Sequence, residues 1–174
     1  MGFFDGASND RGCGVGIILK LDFDHRNEAS LALGKGTNIF AELVGLWSLM
    51  KVASLWNIKD LVITGDSKVI SNWFEGLTNL NTLSLTLWEN KVMELKSFFN
   101  SISTFHIHRM FNKEAGHLSK EALSQEIGWL KFIEFNQNSR ITSGDLWIFF
   151  ISSLLILFGF KSLQAIRIFY FFSN

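Results

Sequence analysis

Three carboxylates are placed along the chain where a fold could bring them together around a divalent cation. Asp5 ends a strand that begins with two phenylalanines, Asp66 follows the apolar run 61–64, and Glu42 lies one turn into the helix between them. Each acid also has an ordinary structural explanation, as a turn residue, a first-turn helix acid or an N-cap. Clustered acids repel one another unless cations neutralise them, and oxygen ligands suit Mg²⁺ or Mn²⁺. The combination therefore predicts a metal centre, whose natural chemistry is phosphoryl hydrolysis with two metals about 4 Å apart.

The elements that must position these acids are short strands and a long helix. Alternating and β-branched runs predict a first strand and two further strands at 14–20 and 28–34, which short turns would join into an antiparallel meander. Apolar residues at three- and four-residue steps predict a helix over 39–56, and a buried strand at 61–64 precedes a helix at 68–74. A right-handed crossover between parallel strands would bring all three acids to the carboxyl edge of the sheet.

Charge and cysteine content narrow the class of protein. Sixteen basic and sixteen acidic side chains cancel, so no global field steers the chain toward nucleic acid or membrane, and a polyanion site must be a local patch. Cys13 is the one cysteine, which excludes an intramolecular disulfide. The first residues lack a basic segment followed by an apolar core, so we expect no signal peptide and an intracellular protein, nuclear or cytoplasmic. We expect a monomer.

Four short motifs, in this order and spacing, resemble the ribonuclease H family. They are Phe4–Ser8, Thr37–Glu42, Gly65–Ser67 and Arg109–Ala115. More narrowly, the chain is similar to plant ribonuclease-H-like domains related to retrotransposon reverse transcriptases, over about residues 3–123. The resemblance implies an α/β fold with a five-stranded mixed sheet, three antiparallel strands and then parallel ones, and helices on both faces. It also implies endonucleolytic cleavage of the RNA strand of an RNA–DNA hybrid.

The resemblance also assigns roles to residues of this chain. Asp5, Glu42 and Asp66 match the first three metal-binding acids of the family, with Asp5 bridging two ions, Glu42 on the leaving-group side and Asp66 on the water side. The residues expected to contact the hybrid, through side chains or backbone amides, are Gly6, Ser8, Asn9, Asn38 and Asn112. Such contacts would read groove shape and the RNA 2′-hydroxyl, so we expect little sequence preference.

One departure from the family pattern concerns the metal centre. Similar sequences continue after Asn112 with Glu-Ala-Asp, and that Asp is the fourth metal ligand, whereas this chain has Gly116 there. Adjacent His117 would point about 100° away on a helix, and Glu114 faces elsewhere. We therefore expect impaired cleavage, or cleavage mainly with Mn²⁺. The alternative is a catalytically degenerate domain that binds nucleic acid without cleaving it.

Beyond the resemblance, the chain divides into a domain at 1–124, a connecting segment at 125–144 and an apolar tail at 145–174. The connecting segment has a helical pattern around 127–135. The tail includes fifteen successive residues without charge, Leu146–Phe160, fewer than the roughly 20 that cross a bilayer as a helix. It is interpreted as a marginal membrane anchor, an extra packed helix or read-through sequence, and we favour read-through over membrane attachment through 146–172.

Overall fold

The computed structural model describes residues 1–151 and 154–158, and the side chains of residues 1–145. This part of the chain forms an opening three-stranded meander, then a region in which helices connect parallel strands, and finally three consecutive strands. The strands are β1 (Gly2–Asn9), β2 (Gly12–Lys20), β3 (His25–Leu33), β4 (Asp60–Gly65), β5 (Ser101–His106), β6 (Trp129–Asn136), β7 (Ser139–Ile151) and β8 (Leu154–Phe158). The α-helices are α1 (Asn38–Leu55), α2 (Lys68–Phe74), α3 (Thr86–Lys96) and α4 (Lys113–Ala122), with 3₁₀ turns at Leu83–Leu85 and Arg109–Phe111.

The strands form one mixed sheet in the order β5-β4-β1-β2-β3-β6-β7-β8. Strands β1, β4 and β5 are parallel neighbours, and every other pairing is antiparallel. The predicted meander and parallel strands are present, but the predicted total of five strands is wrong, because the described residues contain eight. Strand β6 pairs along β3 and continues the sheet on the side away from β4.

The predicted connecting segment at 125–144, with its helix around 127–135, is instead part of a β-hairpin. Strands β6 and β7 meet at Gln137 and Asn138, which both have positive φ, 49° and 58°. Two successive left-handed residues are what a tight hairpin turn requires, and Gln seldom supplies that conformation, so the turn has a weak sequence signal. The apolar tail at 145–174 continues β7 and adds β8, and its remaining residues lie outside the described part.

The two main helices lie on opposite faces of the sheet, and the close approach of glycines shows which face each covers. A Cβ atom on Gly6 would lie 2.3 Å from the backbone nitrogen of Glu42 in α1, whereas a Cβ on Gly16 would lie 2.2 Å from the Ala115 carbonyl oxygen in α4. Gly16 pairs with Asp5, the residue before Gly6, and successive residues of a strand face opposite sides. Asp5 therefore points toward α4, and its neighbour Gly6 toward α1.

Helix α1 is the core helix of the domain. It packs on β1 and β2 and buries eleven of its residues, and α3 packs against it. Thr37 starts the helix by accepting a hydrogen bond from the Phe40 amide, as the sequence predicts for a Thr before an apolar run. Within the described residues, α1 alone is long and apolar enough to span a bilayer, and 61% of that stretch is buried inside the domain.

Candidate metal centre

The three predicted acids converge at one edge of the sheet. One carboxylate oxygen from each of Asp5, Glu42 and Asp66 lies within 4.8 Å of the others. Asp66 directly follows β4, as predicted, but Asp5 lies inside β1 rather than at its end. Pairing of β1 with β4 stops at Phe3 and Thr64, so Asp5 is already beyond the edge of the parallel strands, while β1 continues along β2. The predicted convergence is confirmed.

Gly6 allows Glu42 to reach this edge from the other face of the sheet. Only a residue without Cβ lets the first turns of α1 approach β1 so closely, because a Cβ there would overlap the α1 backbone. Gly6 is buried and packs directly against the α1 backbone, and its contact with a hybrid stays a prediction.

Glu42 is in an unfavourable environment for a negative charge. It is 5% exposed, and its Oε2 atom has no hydrogen-bond partner. Burial, followed by the charges of Asp5 and Asp66, raises the pKa of the Glu42 carboxyl from 4.5 to about 9. A buried oxygen without a partner costs free energy, and a bound cation would satisfy it.

Asp5 is also buried, and helix α4 supplies its partner. Burial raises the pKa of the Asp5 carboxyl from 3.8 to about 6, although a hydrogen bond from Ser119 acts in the opposite direction. The Ser119 hydroxyl donates a short hydrogen bond to Asp5 Oδ2, and Ser119 is completely buried. Ser119 is not among the site residues predicted from the sequence. Its signal is a small polar residue three positions after Gly116, on the same face of the helix.

Asn112 supports the third acid. Its Nδ2 atom donates to Asp66 Oδ1 at 2.7 Å and to the Phe4 carbonyl oxygen at 2.9 Å. The side chain is 3% exposed, so it lies beneath the acids rather than on the surface where the predicted contact with a hybrid would be made. The amide thereby ties Asp66 to the strand that carries Asp5.

Gly116 faces the acids. A Cβ atom at this position would lie 3.7 Å from Asp5 Oδ2, an ordinary van der Waals distance, so a longer side chain would extend into the cluster. This is the position at which the family resemblance implies a fourth acid. Glu114 and His117 are exposed, and neither belongs to the group of potential ligands among the described side chains.

The remaining predicted contact residues lie on the surface. Ser8 and Asn9 are exposed at the end of β1, and Asn38 is exposed at the start of α1. The Asn9 side chain accepts hydrogen bonds from the amides of Arg11 and Gly12, which stabilises the turn into β2. Their contact with nucleic acid stays a prediction.

The donor set suits a hard divalent cation. Three carboxylates supply oxygen ligands only, which Mg²⁺ and Mn²⁺ prefer, and the unpartnered Glu42 oxygen is a position that a cation would satisfy. The mixed sheet, the helices on both faces and this acidic edge define a ribonuclease-H-like α/β domain.

Comparison with known proteins agrees with this class. The family model described as reverse transcriptase-like matches residues 3–122, and the chain belongs to this family of ribonuclease-H-type domains. A curated relative, ribonuclease HI of Halobacterium salinarum, is 29% identical over 124 residues. That match covers 70% of this chain and 62% of the relative, so the chain spans less than two thirds of that protein's length.

Solved structures show the same fold. The crystal structure of RNase H1 from Halobacterium salinarum superposes with a TM-score of 0.64 at 27% identity, covering 70% of this chain and 95% of that one. LC11-RNase H1, solved in complex with an RNA/DNA hybrid, has a TM-score of 0.62 at 21% identity, over 70% of this chain and 94% of that one. Because LC11-RNase H1 is 21% identical to this chain, the similarity between the two shows a shared fold alone.

Proposed function

We propose that this protein is a metal-dependent ribonuclease that cleaves the RNA strand of RNA–DNA hybrids. The observation that carries the proposal is the convergence of Asp5, Glu42 and Asp66 within 4.8 Å, with a buried Glu42 oxygen that has no partner in the protein. Relatives named as ribonucleases, one of them solved with a hybrid, supply the substrate class. The narrower assignment to a plant, retrotransposon-related type rests on the motif resemblance.

The protein's own residues have separate tasks in this reaction. The three acids would hold Mg²⁺ or Mn²⁺, and Asn112 and Ser119 hold Asp66 and Asp5 in place by hydrogen bonds. When bound, such cations neutralise the acids, polarise the phosphate and lower the pKa of water. Asp66, the least buried of the three acids, lies on the side from which water could approach.

Substrate contact would fall to the exposed residues at the same edge. Ser8 and Asn9 follow Asp5 in β1, and Asn38 opens the helix that carries Glu42. These side chains and neighbouring backbone amides are neutral donors, which can contact phosphate and sugar oxygens without a basic surface. The net charge of +0 is compatible with such contacts.

A cleavage assay with the full chain tests the proposal. A hybrid labelled on the RNA strand is incubated with Mg²⁺, Mn²⁺ or chelator, and with the Asp66→Asn protein alongside. We expect metal-dependent cuts in the RNA strand that the Asp66→Asn variant loses, since the substitution removes a carboxylate ligand but keeps the side chain's shape. Cuts that persist in Asp66→Asn would come from a contaminating nuclease.

Gly116 favours a second candidate, a degenerate domain that binds nucleic acid without cleaving it. A helix position that faces Asp5 carries no ligand, which weakens the centre relative to a four-acid site. A folded protein that makes no cuts, and whose hybrid binding depends steeply on salt but not on chelator, would support this candidate over the enzyme.

A further inference from the structure

The 3₁₀ turn before α4 presents two large apolar side chains to solvent. Met110 is 55% exposed and Phe111 is 68% exposed, and they are neighbours in the chain. Single exposed apolar side chains are normal, whereas adjacent ones at the margin of a candidate site indicate a contact surface. The roles that the family resemblance assigns to this chain include neither residue.

Hydrogen bonds fix this turn relative to the acids. The Met110 amide donates to His108 Nδ1 at 3.3 Å, and the Phe111 amide donates to the His108 carbonyl oxygen at 2.8 Å. The next residue, Asn112, is buried and donates to Asp66. Phe111 therefore lies one residue from a side chain that bonds a candidate metal ligand.

Arg109 shows that the start of the turn also lies close to the other two acids. Burial raises the pKa of both Asp5 and Glu42, and the positive charge of Arg109 acts in the opposite direction on both carboxyls. The interaction between two charges weakens with distance, so the Arg109 guanidinium lies beside the acids. A nucleic acid strand bound at the acids would therefore pass within reach of the turn.

Cations flank the apolar pair on both sides. Arg109 precedes the pair, Lys113 follows it at the start of α4, and both are exposed. Proteins that bind single-stranded nucleic acid combine cations that follow the phosphates with aromatic side chains on which bases stack. A base inside a duplex is already stacked on its neighbours, whereas an unpaired base is free to stack on a side chain. The segment 109–113 has the composition that suits such a base.

The small size of the apolar pair favours a base over a protein partner. A specific protein interface buries about 1,200–2,000 Å² in total, far more than two side chains supply. One aromatic ring with a methionine beside it matches the flat face of a single base.

We propose that Met110 and Phe111 form a stacking platform for an unpaired nucleobase, and that Arg109 and Lys113 contact the phosphates on either side of it. The proposal rests on the proposed function, because the platform lies beside the same acids, and it narrows the substrate. The preferred ligand is a hybrid with a single-stranded extension rather than a continuous duplex. Either the RNA or the DNA strand can supply the base, since every base has a π face.

Binding of the full chain to fluorescently labelled nucleic acids tests the platform. Anisotropy is measured in chelator, so that no metal-dependent cleavage occurs. The probes are a blunt RNA–DNA hybrid and the same hybrid with a short unpaired extension on its RNA strand or its DNA strand. We expect an extension to tighten binding by about 5- to 100-fold, because stacking of one base on an aromatic side chain contributes on that order. A gain with either extension supports the proposal and identifies the strand that supplies the base.

Substitutions of Phe111 assign the gain to its ring. Phe111→Ala should remove most of the gain and leave the affinity for the blunt hybrid nearly unchanged, whereas Phe111→Trp should keep the gain. Phe23→Ala is the matched control, because Phe23 is fully exposed in the turn between β2 and β3. That turn follows the end of β2 that pairs with Gly2, away from Asp5, so all affinities of Phe23→Ala should equal those of the wild type.

Abasic nucleotides separate stacking from phosphate contact. Replacing the unpaired bases of the extension with abasic sites should weaken wild-type binding as much as Phe111→Ala does, and should not weaken Phe111→Ala further. An extension that binds equally well without its bases, or that gives no gain over the blunt hybrid, would overturn the platform. Both comparisons use the wild-type protein, so they decide even if Phe111→Ala does not fold.

Cleavage is assayed separately from binding. Extended hybrids that bind more tightly but are never cut would contradict only the proposed function. Metal-dependent cleavage by a protein that binds blunt and extended hybrids equally would contradict only this inference.

Discussion

Replacing Glu42 with Gln should stabilise the metal-free protein at neutral pH, although it removes a metal ligand. The carboxyl has a pKa of about 9 in the fold and an ordinary value of 4.5. A group whose pKa is raised on folding contributes most stability below its unfolded value and loses that contribution as the pH rises toward its folded value. The wild-type free energy of unfolding should therefore fall between pH 4.5 and pH 9, whereas Gln at this position cannot titrate.

The magnitude follows from the pH interval. Between pH 4.5 and pH 7.5, each pH unit corresponds to about 1.4 kcal/mol, so the advantage of Glu42→Gln should grow by up to about 4 kcal/mol. Glu42 is 5% exposed, so solvent screens little of this effect. Near pH 4.5 the protonated acid and the amide are both neutral and similar in shape, and the two proteins should differ little.

Urea denaturation in the presence of chelator, at several pH values from 4.5 to 7.5, measures this difference. Glu126→Gln is the control, since Glu126 is exposed and its substitution should leave the pH dependence of wild type unchanged. Excess Mn²⁺ should stabilise wild type and much less so Glu42→Gln, because a cation bound to the folded state raises its stability. A Glu42→Gln protein that is no more stable than wild type at pH 7.5 would refute the assignment of Glu42 as a strained, buried acid.

Two further substitutions test the neighbourhood of the acids. Gly116→Asp should raise the cleavage rate in Mg²⁺ at least about tenfold, because a carboxylate there extends toward Asp5. This change corresponds to about 1.4 kcal/mol in the activation barrier. The control Gly116→Ala should gain up to about 1 kcal/mol in the free energy of unfolding without faster cleavage. Gly6→Ala should destabilise the fold by about 3 kcal/mol in urea denaturation, because its Cβ would lie 2.3 Å from a backbone atom of α1. Equal cleavage by folded Gly116→Asp, or an undisturbed Gly6→Ala fold, would contradict these placements.

The part of the fold that carries the acids was predictable because local pattern and topology agree there. The three- and four-residue spacing of apolar residues in α1 indicates a helix, and the short apolar run 61–64 before Asp66 indicates a buried strand. Helix α2 begins and ends where predicted. The hairpin of β6 and β7 was not predictable by these means. Its apolar residues follow no clean period, and its turn uses Gln137 where Asn or Gly is expected, so only pairing with β3 determines the strand.

The acids themselves were predictable from sequence, but their partners were not. A carboxylate at a strand edge is visible from residue type and spacing, whereas Ser119 and Asn112 act through distances set by how α4 packs on the sheet. That packing depends on Gly14 and Gly16, where a Cβ would lie 2.2 Å from α4 carbonyl oxygens. Nothing local in a glycine-rich strand shows which helix will cover it.

The energetics of Glu42 bear on whether the centre still binds metal. Without a cation, this buried acid lowers stability by up to about 4 kcal/mol at pH 7.5, a large share of the 5–15 kcal/mol typical of a domain. A neutral residue would avoid that cost, whereas the Oε2 atom of Glu42 is buried without a hydrogen-bond partner. Ser119 and Asn112 add donors that hold the other two acids beside it, although separating the acids would relieve their repulsion. A cation among the acids would offset both the burial of Glu42 and the repulsion between the acids, so the presence of all three acids beside Gly116 supports the proposal that this edge binds a metal.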